Sequence, residues 1–357
     1  MRSTTPVKAV KPVTPASTAM VSQTTAVNER RPERRVPATS PTNVARGSAR
    51  TGRGPWPQGE RQGGGYTTQS VSTVPTITID ALLDRYDAIL FDAYGVLVHG
   101  SGPLPGAAEL LTRLNREGRP YFVVTNDASK LPATAASRYQ RFGLPIDASR
   151  ILTSGMLLAG HFAAAGLGGR RCAVLGPPDS MRYVADAGGE VVGPDEAFDV
   201  LVIGDESGFP FLDWADAALS SLFVSIDAGR PVHLVVPNPD LIYPGGGGFG
   251  FAAGTIANMF EGALALRYPH RTDLRFVRLG KPNTPIFEDA IRRLGTSRVV
   301  MVGDTLETDI AGARAAALDA VWIETGVTST IPENAPAHLR PTWRMPGLVP
   351  VTLESVR

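Results

Sequence analysis

The stretch Ala88-Ile89-Leu90-Phe91-Asp92-Ala93-Tyr94-Gly95-Val96 sets four consecutive apolar residues against a closing acid. A short, continuous apolar run bounded by a polar residue is the pattern of a strand buried on both faces, as in a parallel sheet. Three further runs read the same way: Tyr121–Val124 closed by Thr125, Leu274–Leu279 ahead of Gly280 and Lys281, and Val299–Val302 ahead of Gly303 and Asp304. Helix-period segments separate them. Gly106–Arg116 stops near Gly118, and Ala133–Phe142 stops at Gly143 and Pro145, where glycine accepts the left-handed cap and proline cannot continue a helix. In open α/β sheets ligands bind beyond the carboxyl ends of the strands, so Asp92, Thr125, Lys281 and Asp304 are expected to converge. A helix cap or turn former would explain any one of them alone; four at equivalent places point to a site.

Between the second and third of these runs lies an insertion with strand and helix signals of its own. Arg171–Leu175, Val191–Val192, Val200–Ile203 and Val232–Val236 read as strands, and segments near Ser180–Ala187 and Asp213–Asp227 as helices. The helical segment Gly254–Arg267 is expected to return the chain to the first domain. The resulting division is a tail over 1–75, a first core segment over 76–165, an inserted α/β unit over 166–250, a second core segment over 251–345 and a short tail over 346–357. Proline and glycine at the insertion's edges suit a hinge that closes over the site and excludes water.

The whole chain has 357 residues, 43% hydrophobic and 19% charged, with one cysteine and a formal net charge of +1. That excludes disulfide-rich, collagen-like and wholly disordered classes. Charge is unevenly spread: residues 1–75 carry eleven Lys or Arg against three Glu, a net +8, leaving 24 against 31, a net −7. The basic segment is rich in Pro, Ser, Thr, Ala and Gly, lacks aliphatic clusters, and is expected to be disordered. Its Arg30, Arg31, Arg34 and Arg35 lack interleaved aromatics, so a nucleic-acid partner is not expected. No apolar run has signal-peptide or membrane-spanning length, and Cys172 has no partner for a disulfide, so a cytoplasmic protein without a membrane partner is the expectation.

At this point four phrases in order, Phe91-Asp92-Ala93-Tyr94-Gly95-Val96, Val124-Thr125-Asn126-Asp127, Gly280-Lys281-Pro282 and Gly303-Asp304-Thr305-Leu306-Glu307-Thr308-Asp309, resemble the motifs of the haloacid dehalogenase superfamily. The insertion, with Pro237-Asn238-Pro239-Asp240 near its end, is similar to that of the class IIA phosphatases. The resemblance covers residues 80–330 or so. It implies a Rossmann-like three-layer core with an inserted α/β cap, acting as a magnesium-dependent phosphatase on a small phosphorylated metabolite, and it leaves a homo-oligomer through the cap open. On the same resemblance Asp92 is the nucleophile that takes the phosphoryl group, which splits one difficult transfer into two easier ones. Magnesium would draw on Asp92, the Tyr94 carbonyl and Asp304, with Asp309 completing or orienting that shell. Thr125 would donate to a phosphate oxygen, assisted by the amides of Asn126 and Asp127 at a helix start, and Lys281 would supply a point charge. Asn238 and Asp240 read equally as substrate contacts and as turn chemistry.

One position departs from the family pattern. Class IIA phosphatases usually place Asp two residues after the nucleophile as general acid and base; here it is Tyr94. A phenol donates a hydrogen bond but is a poor base at neutral pH, and acid–base assistance is typically worth about 10²- to 10⁴-fold. Two alternatives follow: a haloacid dehalogenase-type hydrolase, whose Asp-x-Tyr phrase is similar but which needs no metal motif, and a catalytically weak phosphate-ligand-binding protein. His99 and Ser101 resemble a polar loop entering the site, Cys172 sits in an apolar strand pattern as a small hydrophobe, and Gly245–Gly248 lacks a P-loop continuation and reads as a flexible connection. Removal of residues 1–75 is expected to leave thermal stability nearly unchanged by calorimetry; a large drop would make that segment part of the fold.

Overall fold

A computed structural model describes residues 74–245 and 248–349. The basic segment up to residue 73, with its four arginines, and the last eight residues lie outside the described residues. Pro75, placed in the tail by sequence, accepts a hydrogen bond from the Arg344 N–H at 3.0 Å, and Arg344 Nε donates to the Thr76 hydroxyl.

The chain enters through helix α1 (Ile79–Arg85), strand β1 (Ala88–Phe91), a two-residue ribbon β2 (Val98–His99) and β3 (Gly102–Pro103), then α2 (Ala107–Arg116), β4 (Tyr121–Thr125), α3 (Pro132–Arg141), β5 (Ile151–Thr153) and α4 (Leu157–Ala165). A second set follows: β6 (Arg171–Leu175), α5 (Pro178–Asp186), β7 (Glu190–Val192), β8 (Val200–Ile203), α6 (Phe211–Asp227), β9 (His233–Val236), a hairpin of β10 (Ile242–Pro244) and β11 (Phe249–Phe251), α7 (Ala253–Arg267) and β12 (Val277–Arg278). The chain then completes the first set with α8 (Pro285–Leu294), β13 (Val299–Gly303), α9 (Ala311–Ala315), β14 (Asp319–Ile323) and β15 (Trp343–Met345).

The larger sheet has the order β15-β14-β13-β1-β4-β5, and every pairing in it is parallel. β1 is buried along its whole length because it lies between β13 and β4 and is covered on both faces. Ile89, Phe91, Val123, Val300 and Val302 pack on one side with Leu111 and Leu114 of α2, while Leu90, Val124 and Met301 pack on the other with Phe287 of α8. From β1 the chain moves to β4 and β5 on one side, and after the insertion to β13, β14 and β15 on the other. That reversal opens a crevice at the carboxyl ends of β1, β4 and β13.

The smaller sheet, β12-β9-β8-β6-β7, is also parallel. Here the structure corrects the sequence reading. Leu274–Leu279 is not a core strand: only Val277–Arg278 is extended, and it pairs with β9 of the smaller sheet. Nor does α7 return to the core, for Ile256, Ala257, Phe260 and Leu264 pack on Leu201, Ile203, Leu234 and Val236 of that sheet. The physical reason is alternation. Leu274 and Phe276 are buried and Arg275 is exposed, which is a one-faced edge, and α7 covers that face. The inserted unit therefore extends to Arg278 rather than 250. The glycine run is also not a plain connection: Gly245 N–H donates to the Gly248 carbonyl at 2.7 Å, closing the β10–β11 hairpin.

Among the described residues no helix is long and apolar enough to cross a membrane. The packing of α7 predicts opposite outcomes at neighbouring positions. Leu264→Ala, at 1% exposure, should cost about 2–5 kcal/mol in denaturant unfolding, whereas Leu266→Ala, at 86% exposure, should stay within about 0.5 kcal/mol. Equal costs would contradict this orientation.

Candidate active site

Asp92 follows β1 directly, and its backbone N–H still donates to the Val302 carbonyl at 2.9 Å, so the ladder between β1 and β13 fixes where it stands. Its Oδ1 lies 2.6 Å from Lys281 Nζ, and the same ammonium lies 2.6 Å from Asp309 Oδ1. Lys281 is 2% exposed. It is delivered by Asn126, whose side-chain Oδ1 accepts the Lys281 N–H at 2.8 Å while its Nδ2 donates to the Lys281 carbonyl at 3.1 Å. The approach is too close for any side chain at position 280, where a Cβ would collide with Asn126 Oδ1 and with the Pro237 carbonyl.

Asp304 closes β13 as Asp92 closes β1. Its Oδ2 accepts the Val327 N–H at 2.6 Å and its Oδ1 the Thr305 hydroxyl at 3.1 Å. Gly95 and Gly326 leave room for it, since a Cβ at either would strike its carboxylate; Gly95 also needs its φ of +80°. Asp309 lies in a wide helical turn, Leu306–Ile310. Its second oxygen takes the N–H groups of Asp304 and Thr305, both at 3.1 Å. One carboxylate oxygen each from Asp92, Asp304 and Asp309 lie within 4.8 Å of one another.

This is a donor set suited to a hard divalent cation. Three buried acids face one buried ammonium, an excess of negative charge that a cation would neutralise. The turn after Asp92 leaves a further oxygen for such an ion. The Ala93 carbonyl takes the N–H groups of Leu97 and Val98, and the Gly95 carbonyl takes the Thr325 hydroxyl, so neither bond uses the Tyr94 carbonyl between them.

Electrostatics follow from the same burial. Desolvation pushes Asp92 up to about 7 against the pull of Lys281, and Asp309 adds to the rise. Asp304 is raised well above the carboxylate range by burial and then by Asp309 and Asp92. Asp240 is pushed up to about 6, again chiefly by burial. Lys281 loses by desolvation, but Asp309, Asp92 and Asp240 outweigh that loss and hold it protonated.

Asp92, Tyr94, Thr125, Asp127, Asn238, Asp240, Lys281 and Asp304 all line one cavity of about 1060 Å³ between the two sheets. Their roles differ from the expectation in places. No helix begins at Asn126 or Asp127: α3 starts at Pro132, and the intervening loop is held by Asp127 Oδ1, which accepts from the Ser129 N–H and hydroxyl, both at 2.7 Å. The Asp127 N–H goes to Thr125 Oγ1 at 3.2 Å, which leaves the Thr125 hydroxyl proton free to donate. Asn238 Oδ1 caps the Asp240 N–H at 3.0 Å, and Asp240 Oδ1 accepts from Asn126 Nδ2 at 2.8 Å. The Asn-Pro-Asp phrase thus forms a capped turn whose Asn238 and Asp240 also line the cavity. Of the polar loop His99–Ser101, Gly100 reaches the cavity, while the Ser101 hydroxyl meets His99 Nδ1. Cys172 is buried, and burial pushes its thiol up to about 12, as befits a packing residue.

The sequence reading missed several lining residues: Lys130, Arg138, Asp205, Glu206 and Tyr243. Asp205 carried a usable signal, since it follows the apolar run Val200–Ile203 and Gly204 as Asp304 follows Val299–Val302 and Gly303. Tyr243 had none, because a hairpin hidden behind four glycines has no period to read.

Comparison with known proteins agrees with this arrangement. A family model described as haloacid dehalogenase-like hydrolase matches residues 89–190, and one described as HAD-hydrolase-like matches residues 278–349. The 5'-nucleotidase YutF of Bacillus subtilis is 27% identical over 255 residues, covering 69% of this chain and 90% of the relative. An acid sugar phosphatase of Staphylococcus saprophyticus is 28% identical, covering 76% and 99%. Among solved structures, one described as a "possible sugar phosphatase" of the HAD superfamily from Cytophaga hutchinsonii superposes with a TM-score of 0.67 at 29% identity, covering 78% of this chain and all of that one. A glycerol phosphate phosphatase from Mycobacterium tuberculosis, crystallised with magnesium, gives 0.62 at 25% identity, covering 75% and 77%. The first family model begins in β1 and runs into the inserted unit, and the second begins at the end of β12 and covers β13, β14 and β15; between them they span Asp92, Lys281, Asp304 and Asp309, and over both segments the chain matches the haloacid dehalogenase-like hydrolases.

Proposed function

We propose that the protein is a phosphomonoesterase that passes the phosphoryl group of a small phosphorylated metabolite, of the sugar or nucleotide phosphate type, through Asp92 to water. The observation that carries this reading is the buried Asp92–Lys281–Asp309 bridge with Asp304 beside it, at the floor of a cavity large enough for such a metabolite.

Each residue has a task set by its surroundings. Asp92 attacks phosphorus through a carboxylate oxygen; the new P–O bond forms as the ester P–O bond breaks, and water later attacks the same phosphorus to free the carboxylate. Lys281 keeps Asp92 oriented and offers positive charge to the phosphoryl oxygens, and Asp309 is the second carboxylate that anchors that ammonium. Thr125 donates its free hydroxyl proton to a phosphoryl oxygen. Magnesium, held by Asp92, Asp304 and the Tyr94 carbonyl and oriented by Asp309, would polarise the phosphoryl oxygens and neutralise charge there. Tyr94 stands where a general acid is usual and can give the leaving oxygen a hydrogen bond. The metal-suited acids and the inserted second sheet favour this reading over the dehalogenase and the binding-protein alternatives.

Purified protein should release phosphate from 4-nitrophenyl phosphate only with magnesium, and Asp92→Asn should lower the rate by at least about 10³-fold while keeping its melting temperature. Full activity in chelator would overturn the metal assignment, and an active Asp92→Asn protein the nucleophile. Metal and pH should also be linked through stability. Asp92 and Asp240, raised to about 7 and about 6, hold their protons more tightly folded than unfolded. Metal-free stability from these groups is therefore present below the ordinary aspartate value near 4 and is lost as pH rises through about 7. Magnesium binds the ionised form, so the melting-temperature gain on adding it should be larger at pH 8 than at pH 5; equal gains would contradict the assignment.

A further inference from the structure

Tyr94 is held by a contact that none of these tasks uses. From α3, an Nη1 N–H of Arg138 donates to the Tyr94 hydroxyl oxygen, and the guanidinium carbon stands 5.4 Å from the Tyr94 ring centroid and 5.3 Å from that of Phe142. Among the described residues this is the hydrogen bond Arg138 makes. Guanidinium groups ordinarily seek a carboxylate, yet the acid nearby, Asp127, is occupied by Ser129 and Lys130. Arg138 and Tyr94 both line the cavity that contains Asp92. From the inserted unit, Tyr243 meets the Tyr94 ring edge to face at a centroid distance of 6.1 Å. Tyr94 is thus fixed from α3 and from the β10–β11 hairpin at once. A tyrosine hydroxyl has one proton to give. With Arg138 occupying its oxygen, that proton is directed away from Arg138, on a wall shared with the nucleophile.

We infer that Arg138 is a positioning residue that aims and polarises the Tyr94 hydroxyl as hydrogen-bond donor to the oxygen leaving the phosphate ester. The inference rests on the phosphomonoesterase reading above. As the bond from Asp92 to phosphorus forms and the ester P–O bond breaks, the electron pair passes to the leaving oxygen. Tyr94 donates to that oxygen as its charge grows, and the guanidinium behind the phenol strengthens the donation, because hydrogen bonds in a chain polarise one another. Tyr94 keeps its proton throughout, and the departing alkoxide takes one from water. The benefit scales with the charge gathered by the leaving oxygen, so it is greater for an alkoxide than for a nitrophenolate.

The test compares kcat/KM for glycerol phosphate and 4-nitrophenyl phosphate, with magnesium, in wild type, Tyr94→Phe, Arg138→Met, Arg138→Lys and the Tyr94→Phe/Arg138→Met double variant. Loss of one such donor costs about 10²- to 10³-fold where charge develops fully. Tyr94→Phe should therefore lose at least about tenfold more on the alkyl ester than on the aryl ester, and Arg138→Met should show the same bias. Arg138→Lys, which restores a cationic donor, should recover most of it, and the double variant should be no worse than Tyr94→Phe alone. Equal losses on both esters, or additive losses in the double variant, would reduce Arg138 to packing and overturn the inference while leaving the phosphatase reading intact. Failure of the wild type to release phosphate from either ester would overturn both.

Discussion

The structure depends on one buried ammonium held between two carboxylates. Lys281 Nζ lies 2.6 Å from both Asp92 and Asp309, inside a region where an unpaired charge would cost several kcal/mol. Because Asp92 belongs to the end of β1, Asp309 to the turn after β13 and Lys281 to the return from the inserted unit, this bridge ties together three distant stretches of sequence. Removing Lys281 would leave two buried carboxylates without compensation, whereas either carboxylate alone would still pair the ammonium. Both Asp309 oxygens are engaged within the protein, one on Lys281 and the other on the amides of Asp304 and Thr305.

The inserted unit is bound to the site it covers. Asp179, Ser180 and Tyr183 of α5 bond the Leu131 N–H and the carbonyls of Ala128 and Lys130, the loop that follows Thr125. Tyr183 also meets the Thr153 hydroxyl at 2.6 Å, and Gly155 leaves space for its ring. On the other side of the cavity, Asp240 bonds Asn126, which in turn holds Lys281. The inserted unit thus helps to hold Asn126, Lys281 and the loop after Thr125 as well as to form the walls, and its movement would have to break these bonds.

Much of this was legible in the sequence because continuous apolar runs closed by a polar residue mark the buried strands β1, β4 and β13, and the site residues follow them directly. Lys281 was found through a run that was misread, since Leu274–Leu279 is mostly not a strand and its extended end pairs with the smaller sheet; the Gly-Lys-Pro phrase nonetheless falls beside Asp92. What was not legible is whatever depends on contacts between distant segments. Arg138 has the spacing of an ordinary exposed helical arginine, and only the fold brings it to Tyr94. The antiparallel hairpin and its Tyr243 are concealed by glycines, and the division of labour between Asp304 and Asp309 rests on which backbone amides surround each.

Central to the proposed function is a single chemical statement, that the phosphoryl group passes through Asp92. Acid quench of wild-type protein during turnover of an aryl phosphate with magnesium, followed by peptide mass analysis, tests it most directly. The account predicts a transient gain of one phosphoryl group on the peptide containing Asp92, absent after substrate is exhausted; steady phosphate release with that peptide never modified would contradict it.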